Sequence, residues 1–187
     1  MSETKLKFRP LTPDRWSDLE TLFGAKGACG GCWCMTWRLS RAQFDANKGA
    51  GNKRAFKKLV TRGRAPGVLA YAGKQPVGWC AVAPREDYPA LGRSRVLAPV
   101  DDKAVWSVSC FFVVRDFRRH GVSVPLLQAA VKFARSQGAK IVEGYPQDLG
   151  NATLPAPFVW TGLLPTFTAA GFKEVARRSA KRPVVRI

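Results

Sequence analysis

The nineteen residues from Val105 to Ser123 constrain this chain most. They begin as a run of β-branched and aromatic residues without helical period, Val105-Trp106-Ser107-Val108-Ser109-Cys110-Phe111-Phe112-Val113-Val114, which predicts a strand. A basic turn ending in Gly121 follows, and then a helix in which Leu127, Ala130, Val131 and Ala134 share one face. Pro125 is tolerated because it falls in the first turn, where backbone N–H groups lack helical partners. Gly138 ends the helix, and Ile141 to Tyr145 predicts a second strand. A strand, helix, strand unit of this kind closes as a right-handed parallel crossover. The turn itself suits a phosphate or pyrophosphate. Free N–H groups and the positive dipole end of the helix meet there, Gly121 has no Cβ to block approach, and Arg118 and Arg119 add full charges.

Arg118-Arg119-His120-Gly121-Val122-Ser123 resembles the coenzyme A motif of the GNAT family of N-acetyltransferases, Gln/Arg-x-x-Gly-x-Gly/Ala at the start of a helix. Two positions depart from it: Ser123 replaces the usual Gly or Ala, and Arg115 stands where a proline is common. The resemblance runs from about residue 65 to 180, through Gly138-Ala139 and Ala169-Ala170-Gly171-Phe172. It implies an α/β fold, a single GNAT-like domain over residues 1–187 whose mixed, strongly twisted sheet of about six or seven strands is flanked by about four helices. The coenzyme motif would occupy about residues 103–146. The resemblance also implies acetyl-CoA as cosubstrate, held by Arg118, Arg119, His120, Gly121, Val122 and Ser123 and by the backbone of Phe111, Phe112 and Val113. The acceptor would be an amine of unknown identity, attacking the thioester directly.

The remaining chain reads around this unit. Lys5 to Arg9 alternates as a half-buried strand, and Thr12-Pro13-Asp14 opens a helix carrying Trp16, Leu19, Leu22 and Phe23 on its apolar face. Asn52 to Arg62 is a second helix, and Gly73 to Pro76 joins two strands as a hairpin. Residues 90–103 read as a loop. Thr161 to Phe172 reads as a short helix stopped at glycine, with closing strands at Phe172–Val175 and Pro183–Ile187.

The segment Gly27 to Arg38 holds Cys29, Cys32, Cys34, Trp33, Met35 and Trp37 in a glycine-rich loop. Zinc needs four ligands, and a fourth partner for the three thiols is not evident, so no metal is expected. Two readings stay open: the loop plugs the core, or, as the resemblance implies, Trp33, Met35, Trp37 and Arg38 line the acceptor pocket. For the base, Glu86, Asp87, Glu143 and Asp148 are the candidates, and Glu86 is favoured because adjacent Asp87 raises a carboxyl pKa by like-charge repulsion. Many relatives carry a tyrosine four residues before the glycine of the Ala-Ala-Gly-Phe segment. Here Phe167 stands there, and a phenyl ring donates no proton. The leaving thiolate would then depart unassisted or take a proton from water or Tyr145.

Composition narrows the alternatives. Hydrophobic content of 46% is that of a globular protein, and no apolar run is long enough to span a bilayer, so no membrane partner is expected. The N-terminus lacks the apolar run of a secretory signal, and five cysteines follow no secreted framework, which points to a cytoplasmic location. A net charge of +18 attracts anions in general. Nucleic acid is therefore an alternative partner, but the basic residues are scattered and no nucleic-acid-binding motif occurs. A non-catalytic acyl-CoA sensor, a basic nucleic-acid-binding domain and a Cys–His hydrolase using His120 are the rival functions; homodimer formation is open.

Overall fold

The computed structural model describes residues 5–187, with only 1–4 outside the described residues. Seven strands form one sheet in the order β1-β2-β3-β4-β5-β7-β6. They are β1 (Leu6–Pro10), β2 (Gly67–Ala72), β3 (Gln75–Pro84), β4 (Trp106–Val113), β5 (Val142–Gly144), β6 (Lys173–Arg177) and β7 (Pro183–Arg186). β4 and β5 pair in parallel, and every other neighbouring pair is antiparallel. The expected mixed sheet and crossover are therefore present, with α5 (Ser123–Ser136) between the parallel strands.

Strand alternation divides the core into two layers. Val68, Ala70, Cys80 and Val82 face Leu126, Leu127, Ala130 and Ala134 of α5. Leu69, Tyr71, Trp79 and Ala81 face the other way, against α1 (Trp16–Phe23) and α3 (Ala50–Thr61). Trp16, Leu19, Leu22 and Phe23 are all buried, as their spacing requires.

Several boundaries differ from the sequence reading. Thr12 does not cap α1: a 3-10 turn, Pro13–Arg15, comes first, and the Thr12 hydroxyl accepts from the Arg15 guanidinium instead. α3 starts two residues earlier than expected. A short helix α2 (Arg41–Ala46) lies in what read as loop; its apolar stripe is too short to register, but Ser40 and Gln43 form a reciprocal capping box. Part of the expected 90–103 loop is a single turn, α4 (Pro89–Gly92). The terminal helix shrinks to α6 (Leu164–Ala169), because Gly162 takes a positive φ of 86° and Pro165 sits in the first turn.

Candidate active site

β4 and β5 pair only from Trp106–Val142 to Val108–Gly144. Beyond Val108, β4 continues for five residues to Val113 while the chain after Gly144 turns away, so the sheet opens. Val114 N–H bonds the Val77 carbonyl on β3 at 3.0 Å. Alternation therefore points the N–H groups of Phe111 and Val113 into the opening. The segment 156–162 lies in it: the Phe111 N–H donates to the Trp160 carbonyl at 2.6 Å, and Gln147 N–H to Gly162 at 2.9 Å. The protein's own Trp160 carbonyl thus takes the Phe111 N–H that the sequence reading assigned to the cosubstrate arm.

The basic turn sits at the end of this opening. A 3-10 turn, Arg115–Phe117, leads to Arg119 and Gly121, whose φ values are 62° and 72°. Left-handed backbone at Gly121 is free of Cβ strain. A Cβ built there meets nothing within 4 Å, so the space in front of the turn is open. Arg118, Arg119 and His120 are exposed, and Arg118 Nε donates to the Val113 carbonyl at 2.8 Å. The first turn of α5 has no side-chain cap, leaving its N–H groups for a ligand. Val122, by contrast, is buried against the sheet and contributes only backbone.

Two cavities meet at Arg118. The smaller, about 160 Å³, lies between Phe111, Val113 and Ser123 on one side and Val159, Leu163 and Thr166 on the other. The larger, about 280 Å³, lies between the cysteine loop and β4, with Trp37 and Phe44 facing Phe112 and Trp160. Phe111, Phe112, Arg118, Ala156 and Trp160 border both, so the cavities adjoin. Cys29, Cys32, Cys34 and Cys110 also line the larger one, and among the described residues Arg118 is the only charged one in its wall.

The predicted acceptor residues divide. Trp37 lines the larger cavity, its ring 5.6 Å from that of Trp160. Trp33 and Met35 are buried in the core, with the Trp33 indole stacked on Trp16 at 6.1 Å, because packing of the loop against α1 turns both inward. Arg38 lies over the Tyr88 ring at 4.4 Å and pairs with Asp87 at 3.8 Å, away from the cavity. Thr36, Phe44, Ser109, Cys110 and Trp160, not selected from the sequence, complete the wall. The apolar strand pattern at Cys110 and Phe112 was the one available signal. Phe44 and Trp160 reach the site only through the paths of their loops.

The acid and base candidates lie elsewhere. Glu86 is exposed and lines a groove with Trp106 and Lys140, at the opposite end of β4 from Phe112. Asp87 turns to Arg38 and Arg64, Asp148 pairs with Arg177 at 2.9 Å, and Glu143 is buried between Arg85 and Arg186. Tyr145 is fully buried, its hydroxyl within 2.7 Å of both Glu143 and Ser107. Burial, then the Glu143 charge, pushes its phenol well above the ordinary tyrosine range. None of these residues borders the larger cavity. Phe167 is likewise buried, edge-on to Phe111 and Phe172. Among the described residues, no three Cys, His, Asp or Glu side chains gather as metal ligands, and no helix is long and apolar enough to cross a membrane.

A parallel strand–turn–helix unit with an opened strand edge and an uncapped basic helix start has the chemistry that suits an extended, phosphate-bearing ligand. The sequence pattern of the acetyltransferase (GNAT) family matches residues 33–151. The chain belongs to that family of acyltransferases acting with coenzyme A. Its fold is similar to a GNAT-family acetyltransferase from Streptococcus pneumoniae, with 10% identity, 98% of each chain covered and a TM-score of 0.56. It is also similar to the PaiA N-acetyltransferase of Thermoplasma acidophilum in complex with coenzyme A, with 11% identity over 97% of this chain and 98% of that one, and a TM-score of 0.54. No curated protein matches the sequence.

Proposed function

We propose that the protein transfers an acetyl group from acetyl-CoA to an apolar or aromatic amine. The observation that carries this is the junction of the two cavities at Arg118. One side offers an anion site at the start of α5, and the other a chamber walled by aromatic rings and thiols, with no carboxylate among the described residues. A polycationic acceptor would lose its hydration there without gaining a counter-ion. A flat or branched apolar amine stacks between Trp37 and Trp160 instead.

Acetyl-CoA supplies the activated acyl group as a thioester. Arg118 and the first-turn N–H groups of α5 hold the pyrophosphate, with Arg119, His120 and Ser123 alongside. Gly121 lets the backbone approach it. The Val113 edge of β4 aligns the arm, and Phe112 and Trp37 position the amine in front of the acyl carbon. Since no carboxylate among the described residues borders the chamber, the amine enters neutral or loses its proton to water. A free thiol has a pKa near about 8.5, so the thiolate leaves without a dedicated acid, consistent with Phe167 in the core.

The same lack of an acid and a base favours the second reading, an acyl-CoA sensor. Turnover separates the two. Acetyl-CoA hydrolysis and transfer are measured against arylalkylamines, polyamines and aminoglycosides. Transfer to arylalkylamines is the expected result, whereas coenzyme binding without turnover of any amine selects the sensor. Arg118→Ala should weaken coenzyme A binding about 10-fold or more, a charge-assisted contact being worth about 1.5–3 kcal/mol; unchanged affinity by calorimetry removes Arg118 from the site.

A further inference from the structure

Basic residues that are scattered along the sequence converge at one place away from the two cavities. The loop after Trp33, the end of α3 and the 3-10 turn Arg85–Asp87 border a cleft of about 620 Å³, within the size range of small-molecule sites. It shares no lining residue with either cavity beside β4. Arg38, Lys58, Arg62 and Arg64 line it against one carboxylate, Asp87, and Met35 and Leu59 supply apolar wall. Asp87 does not neutralise this group. Its oxygens stand 3.8 Å from Arg38 Nη1 and 3.7 Å from Arg64 Nη1, beyond the about 2.7–2.9 Å of a charge-assisted hydrogen bond. Lys58 and Arg62 lie four residues apart at the end of α3, where like charges destabilise a helix, and neither forms an ion pair among the described residues. Lys53, on another row of the same helix, has Glu20 at 2.6 Å. Arg38 stands out further. Its side chain is only 5% exposed and lies over the Tyr88 ring at 4.4 Å, which fixes the guanidinium. Among the described residues it donates twice, to the Tyr88 hydroxyl at 3.2 Å and the Asp87 carbonyl at 3.4 Å, a small part of its donor fork. A buried cation so loosely partnered keeps donors in reserve for an anion.

We infer that this cleft binds a small organic phosphate, with the phosphate group among Arg38, Lys58, Arg62 and Arg64 and the organic body against Met35 and Leu59. A phosphomonoester matches the charge: it carries about −1.5 to −2 near neutral pH and three strong acceptor oxygens, against four cations and one carboxylate. It matches the geometry as well. The planar Arg38 fork engages two phosphate oxygens at once, while the exposed Lys58, Arg62 and Arg64 side chains close on the group from the solvent side. The backbone of a nucleic acid would use the cations but leave Met35 and Leu59 unoccupied. Met35 and Arg38 line this cleft, whereas Thr36 and Trp37, between them in the chain, line the larger cavity. One loop thus separates the organic-phosphate site from the acceptor chamber. The ligand is distinct from the cosubstrate, whose proposed anion site lies at the start of α5.

The test is calorimetry of the full chain with phenyl phosphate at near-physiological salt. It compares the unmodified protein, the double variant Lys58→Ala with Arg62→Ala, and Arg118→Ala. Both side chains of the double variant are exposed, so the fold is kept, as circular dichroism checks. The expected result is saturable binding that Arg118→Ala leaves intact and the double variant weakens about 10-fold or more, the loss of a charge-assisted contact. Phenyl sulfate, with one charge, and inorganic phosphate, with no organic body, should each bind more weakly than phenyl phosphate. Binding lost in Arg118→Ala but kept in the double variant places the probe at α5 and overturns the inference. So does phenyl phosphate binding that is absent at this salt, which leaves only general attraction by a basic surface. Binding confined to a DNA oligonucleotide overturns it too, in favour of a nucleic-acid surface.

Discussion

At the scale of single residues, substitution tolerance around the site follows from contact, not from chemical type. Gly144 ends β5 against the Phe167 ring, and a Cβ there would overlap it. On the other side, a Cβ at Gly162 would come within 2.8 Å of Phe167 Cε2. Gly144→Ala should therefore destabilise the protein by at least about 1–3 kcal/mol, the usual range for overpacking, read as a lowered denaturant midpoint. Glu143 makes the second test. It is fully buried, with one oxygen 2.9 Å from Arg85 Nη1 and the other 2.7 Å from Arg186 Nε. Glu143→Gln leaves both guanidinium groups short of a counter-charge. Loss of one partner of a buried pair costs about 3–5 kcal/mol. The lower end is expected, because Arg186 keeps Asp101 at 2.7 Å and Arg85 keeps the Leu97 carbonyl at 2.6 Å. Chemical denaturation of the variant checks this.

At the scale of elements, our proposal makes the start of α5 and the turn before it one ligand-binding device. The left-handed φ of 72° at Gly121 is costly for a residue with a branched Cβ, about 1–2 kcal/mol in backbone strain. Gly121→Val also fills the open space in front of the uncapped helix end. We expect coenzyme A affinity to fall by an order of magnitude or more in calorimetry. The denaturation midpoint should fall by no more than that strain, since Gly121 is exposed and a Cβ there meets nothing within 4 Å.

At the scale of the molecule, all three tyrosines favour the neutral phenol. Burial is the main cause at each: it pushes Tyr88 up to about 12, and raises Tyr71 and Tyr145 further. Asp18 adds to the shift at Tyr71, and Glu143 at Tyr145. An unfolded tyrosine titrates near about 10. Above that pH the unfolded chain binds fewer protons than the folded one, so stability falls as pH rises. This stabilisation is complete below about pH 10 and is lost as pH climbs through 10 to 12 and beyond. Native protein should show little phenolate absorbance at pH 10.5, where urea-unfolded protein shows most of it. A native titration with a midpoint near 10 would contradict the buried positions of the three rings.

The parallel unit was legible in the sequence because its signals are local. Strand composition marked β4, the i, i+3, i+4, i+7 face marked α5, and Gly121 with its arginines marked the basic turn between them. The short elements α2 and α4 were not legible, since four to six residues carry too little periodicity. The catalytic carboxylate expected at Glu86 was placed by neighbourhood in the chain, yet antiparallel pairing of Pro84 with Trp106 carries it to the far end of β4. Trp33 and Trp37 differ by four residues and read alike. Only the positive φ values of the cysteine loop send the first into the core and the second to the cavity. Local backbone and side-chain preferences thus determined the fold class and the basic turn before α5. The aromatic chamber beside β4, and the placing of Glu86, Glu143 and Asp148 away from it, were decided by the tertiary structure, because loops distant in sequence converge only when the sheet packs.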